Sequence, residues 1–186
     1  MAADVDVLAS GDAGPSVRRV PRGLAAALAV VALLLVVGDR AAHDREVDAL
    51  LRGVQAGQQA SVYADRRLAG TVQYASGSLT SASVPPSVRA DLRRLVQREA
   101  AGQLPPLQAA RDDVARVRPL PWHGAVRTAR ASALAHLDAR LAHLRAVARD
   151  LRALYAPRPA VTSSAVRART ALDAVVPRGR AALLYR

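Results

Sequence analysis

Residues 134–155 read LAHLDARLAHLRAVARDLRALY. Leu134, Leu137, Leu141, Leu144, Ala148, Leu151 and Tyr155 follow one another at alternating spacings of three and four. That alternation keeps all seven on one side of an α-helix, as in the a and d positions of a packed helical seam. Arg130, Asp138, Arg140, Arg145, Arg149 and Asp150 fall off the seam, where water can reach them. The pattern predicts a long helix with a leucine face available for packing or self-association. Pro157 and Pro159 are placed to end it.

Upstream of this helix, Pro119 and Pro121 mark a turn that contains Trp122, the chain's one tryptophan, expected to anchor packing beneath it. Val88, Leu92, Leu95 and Val96 predict a helix that starts near the Pro85-Pro86 pair. Leu107, Ala110, Val114 and Val117 continue the pattern beyond Gly102 and Pro105-Pro106, either as a kinked extension or as a second helix. Val47, Leu50, Leu51 and Val54, followed by Val62, Leu68 and Val72, predict a helix from about Asp39 to Ser76, with a break over Ser76–Ser83. Downstream, a last helix is expected from Ser163 or Ser164 to Val176, and Leu183-Leu184-Tyr185 is apolar enough to dock.

Composition agrees with helices. Half the residues are apolar, but there is no Phe and aromatics amount to 3 %. Ala and Leu favour helix, and the aromatic content expected of a sheet is thin. The expected fold is therefore all-α. A single N-terminal transmembrane helix is followed by a three- to four-helix antiparallel bundle with Pro-rich turns.

The transmembrane expectation rests on Gly23–Gly38, GLAAALAVVALLLVVG, sixteen residues without a charge. At about 1.5 Å per residue this run is short for a ~30 Å hydrocarbon core. Inclusion of Val20 and Pro21, with Arg22 reaching for headgroups, lengthens it. Arg18, Arg19 and Arg22 precede the run, which favours the N-terminus inside and the remainder outside. The domain reading is a disordered cytoplasmic tail over 1–19, a signal anchor over 20–38 and a basic helical extracytoplasmic domain over 39–186. The alternative is a cleaved signal and a secreted domain.

All basic residues are Arg, and the net charge of +12 lies entirely after residue 38. Arg127, Arg130, Arg140, Arg145, Arg149 and Arg152 on the seam helix, with Arg89, Arg93, Arg94 and Arg98 on another, form a candidate anion-binding surface. Aromatics for base stacking are scarce, so nucleic acid is a poor fit. The absence of Cys removes thiol chemistry and cysteine-ligated metal from this chain.

The remaining polar groups do not make a reaction centre by spacing. His136 and His143 are two turns apart, whereas helical metal ligands favour one-turn spacing. Asp112 and Asp113 are adjacent and diverge on a helix, and are expected to pair with Arg111, Arg116 or Arg118. His43-Asp44-Arg45-Glu46 has acid–base side chains but no visible second element facing it. No catalytic residue, cofactor or metal is predicted. The functional expectation is a non-catalytic single-pass protein of the bacterial envelope whose helical domain binds a protein or itself, with Leu134, Leu137, Leu141, Leu144 and Leu151 as the interaction seam. The alternative is a membrane-tethered binder of anionic polymer or lipid.

Overall fold

The computed structural model describes residues 22–80 and 83–176, without the side chains of 22–26, 79 and 80. The expected tail over 1–19, residues 20 and 21, and the apolar C-terminus lie outside the described residues. Those described are mostly helical, and no strand is among them. The elements are α1 (Arg22–Thr80), α2 (Pro86–Gly102), α3 (Leu104–Arg116), α4 (Gly124–Arg149), α5 (Arg152–Tyr155) and α6 (Pro159–Asp173). Contacts divide the chain into two units, 1–39 and 40–186.

In the first unit, the described residues are the start of α1. Leu28, Val30, Val31 and Leu33 through Val37 are exposed aliphatic side chains. Among the described residues no helix is long and apolar enough to cross a membrane. The segment expected to span, 20–38, is described in full only from residue 27 onward.

The second unit is a bundle built around α4, which packs against α2, α3 and α6. Pairings between helices give the directions. Arg111 meets Asp138 and Gln108 meets Arg145, so α3 and α4 are antiparallel. Glu46 meets His123 and Ser61 meets Arg140, so α1 and α4 run parallel. Helices α1, α2–α3, α4 and α6 thus alternate in direction along the chain, while the first and third of these rods touch. Small residues permit this contact. A Cβ at Gly57 would come within 2.7 Å of Leu137 Cδ2, so α1 and α4 approach closely there.

The core is aliphatic, as the composition requires. Leu50, Leu107, Leu141, Leu144 and Leu172, with Val96, Val114, Val126 and Val147, are its largest fully buried side chains. Among the described residues no aromatic side chain is one of the buried hydrophobics. At about 25 cal/mol per Å2 of apolar surface, each buried leucine still contributes on the order of 2 kcal/mol.

Several boundaries differ from the periodicity. Helix α1 runs through Ser76–Ser78 to Thr80, where a break was expected. Ser76 Oγ donates to Gln73 O, so its hydroxyl bonds back along the helix it was expected to end. At 102–106 the structure has two helices with only Gln103 between them. Pro105 and Pro106 lack the N–H groups that would continue the ladder, and Gln103 N–H bonds Ala100 O in a tighter turn. Helix α6 starts at Pro159, a full turn before Ser163, because proline suits a first helical position.

The leucine seam is shorter than its spacing implies. Helix α4 ends at Arg149, and Asp150 turns extended. Its carboxylate accepts the Arg152 N–H at 2.9 Å, a local bond that competes with helix continuation. Leu151 therefore lies outside α4, and Tyr155 is exposed. Trp122 is also exposed, at 67 %, against the packing role expected of it. The inward position beneath that turn belongs to its neighbour His123, which is buried.

Candidate functional site

The six arginines singled out on the seam helix do not share one surface. Arg140 is buried, with Nη2 donating to Ser61 O at 3.1 Å and to Asp65 Oδ2 at 2.9 Å. Arg130 Nη2 donates to Ala115 O, and Arg145 Nη2 to Gln108 Oε1. These bonds join α4 to α1, to α3 and again to α3. Arg127 is exposed one turn into α4. Arg149 and Arg152 line a groove shared with two arginines of α2.

That groove, of about 550 Å3, lies between α2 and the end of α4. Arg93 and Arg94 come from α2, Arg149 and Arg152 from the opposite wall, and Asp150 is the single carboxylate of the lining. Gln97 Nε2 donates to Arg149 O at 3.0 Å and ties the two walls together. Arg94 has a loose pairing with Asp91, at 3.7 Å between exposed side chains. An exposed pair of this kind holds its partners weakly. The adjoining face of α2 adds Arg98. Four guanidinium groups around one concavity offer planar, multidentate donors that suit phosphate or carboxylate groups.

The leucine seam faces inward. Leu137, Leu141 and Leu144 are 4 %, 1 % and 1 % exposed and belong to the core. Leu134 and Leu151 are half-buried and pack against that core. The α4 leucines are thus in contact with this chain's own helices.

A second polar cluster was missed because its halves are far apart in sequence. The His43–Glu46 stretch does have an element facing it, the turn that ends in His123. Glu46 Oε2 lies 2.6 Å from His123 Nδ1, and Glu46 Oε1 accepts the Leu120 N–H at 2.9 Å. The His43 and His123 rings meet edge to face at 5.0 Å. With both carboxylate oxygens of Glu46 engaged and His123 buried, the cluster fastens the turn to α1. Among the described residues no three His, Asp or Glu are grouped to hold a metal ion.

His136 and His143 are separated as the spacing implied. His136 is buried, its Nδ1 lies 3.2 Å from Ser164 Oγ, and its ring also engages the Val161 backbone. Burial, and then the nearby Arg140 charge, hold its pKa below the usual imidazole range. His143 is lowered for the same first reason, with Arg158 and Arg140 adding to it. Asp112 and Asp113 pair with Arg111 and Arg116, at 3.4 and 2.8 Å. Asp138, off the seam, takes Arg111 Nε of α3 at 3.0 Å.

No protein-family model matches the chain, and searches of characterised proteins and of solved structures returned no match.

Proposed function

We propose that the chain is a non-catalytic, membrane-anchored domain that binds an anionic polymer or lipid headgroup through the α2–α4 groove. The observation that carries this reading is the convergence of Arg93, Arg94, Arg149 and Arg152 on one concavity with a single carboxylate. Phosphate and carboxylate groups are the shared chemistry of both ligand sources. We place the anchor at residues 20–38, on the uncharged run Gly23–Gly38, whose aliphatic side chains from Leu28 to Val37 are exposed. Interaction through the leucine seam is the weaker reading, since Leu137, Leu141 and Leu144 are already in the bundle core.

Two measurements test the halves separately. Fractionation of C-terminally tagged protein, with protease added to spheroplasts, reads the anchor. Full-length protein in the membrane with a digested C-terminal domain supports it, and a soluble product starting near Asp39 rejects it. Co-sedimentation of the full chain with an anionic wall polymer, and with phosphatidylglycerol vesicles, reads the groove. Affinity should fall steeply with salt and be lost in Arg93→Glu/Arg149→Glu. Binding that ignores both salt and the double substitution would sink the groove as the site.

A further inference from the structure

A separate groove of about 310 Å3 lies between α1, α4 and α6. Its size is at the low end of the ~300–1,000 Å3 typical of small-ligand pockets. One part of its lining is charged and the other is aliphatic. Arg140, Arg169 and Asp65 supply the charges, and Val62, Val161 and Val166 the apolar wall. Val166 is 62 % exposed, an aliphatic surface at the groove that the bundle leaves uncovered.

The charges do not cancel. Asp65 is paired with Arg140, and His136, also in the lining, is pushed toward its neutral form by burial. Arg169 makes no ion pair among the described residues, so the groove carries one excess positive charge. Arg140 is 7 % exposed, and its Nε is buried with no hydrogen-bond acceptor. That nitrogen is closed off from the groove, so Arg140 acts on a bound anion through its charge.

We propose that this groove binds a short aliphatic carboxylate. The carboxylate pairs with Arg169 beside the Arg140 guanidinium, and the alkyl chain lies on Val62, Val161 and Val166. One net charge matches a monoanion, and the valine wall selects an alkyl chain over a sugar or a bare inorganic anion. This site is distinct from the arginine groove between α2 and α4 and does not rest on it.

The test is equilibrium uptake of radiolabelled hexanoate by the full chain held in phosphatidylcholine nanodiscs, with empty discs as reference. Hexanol is the neutral competitor. The expected result is saturable one-to-one uptake that hexanol displaces poorly. Arg169→Ala and Val166→Asp, both at exposed positions and checked for an unchanged melting temperature, should each weaken it at least tenfold. Arg93→Glu/Arg149→Glu should leave it unchanged. The proposal is overturned by any of three results: uptake that is not saturable, equal competition by hexanol, or uptake indifferent to Arg169→Ala.

Discussion

Gly53 of α1 lies against the backbone of Val114 in α3. A Cβ at position 53 would stand 2.8 Å from Val114 Cγ2 and 3.2 Å from its backbone nitrogen. At Gly57 the obstruction is instead the tip of a side chain, Leu137 Cδ2. A side-chain end can rotate away, whereas a helix backbone moves only with its helix. Alanine also gains up to about 1 kcal/mol of helix propensity over glycine. Gly53→Ala should therefore lose about 1–3 kcal/mol through overpacking. Gly57→Ala should stay within about 1 kcal/mol of the parent. Urea midpoints of the two variants check this, and equal stabilisation by both would show that α1 and α3 are not in close contact.

Arg140 and Asp65 predict an asymmetric pair of substitutions. Asp65 is half-exposed and Asn keeps an acceptor oxygen, so Asp65→Asn should cost only about 1–2 kcal/mol for the counter-charge taken from buried Arg140. Arg140 also donates to Ser61 O in a buried setting, and Arg140→Ala leaves that carbonyl short of a partner and opens a void. A loss of about 2–4 kcal/mol is expected. Chemical denaturation of both variants measures the difference, and equal losses would contradict the assigned burial.

Glu46 joins α1 to the turn before α4 through two acceptor oxygens. Glu46→Ala removes both, leaving the Leu120 N–H and the buried His123 ring without it. The expected loss is about 1–3 kcal/mol. Hydrogen exchange should quicken at Leu120 and through the first turn of α4, while α6 is unaffected. Uniform quickening over the whole bundle would place the cluster in the global core instead.

The depressed pKa of His136 gives a pH dependence with a definite sign. The unfolded histidine takes up its proton near pH 6.5, while the folded one resists until lower pH. Between those two values the unfolded state holds more protons, so stability falls as pH falls below about 6.5. His143, lowered in the same direction, adds to the slope. His136→Gln should flatten the decline between pH 6.5 and 5 in a urea-midpoint series. An unchanged slope would assign the decline to other groups.

Much of the bundle is legible in residue spacing, and the departures have local causes. Leu137, Leu141 and Leu144 are found in the core because their period is helical. Period alone runs on through Leu151 and Tyr155, whereas the chain stops at Asp150 on a side-chain hydrogen bond that periodicity cannot register. The arginine rows of α2 and α4 are visible separately. Which of them face one another depends on the antiparallel pairing of those helices, and that pairing separates Arg149 and Arg152 from Arg127, Arg130, Arg140 and Arg145. The contact between Glu46 and His123 is hidden for a similar reason. It joins residues brought together by the parallel course of α1 and α4, which are not consecutive helices.

The central place of α4 has a consequence for synthesis. On the ribosome, residues 40–80 emerge with Leu50, Val54 and Leu68 already patterned for burial, and α4, which closes on α1 at Gly57, is completed only at Arg149. Nascent chains fold as their partners become available. Helices α2 and α3 can meet α1 first, at Glu99 and Val114, but the side of α1 that faces α4 must wait through the translation of some seventy further residues, counted from Thr80 to Arg149. A translational pause or truncation before Arg149 should yield a chain that chaperones hold, and one after it a chain that closes.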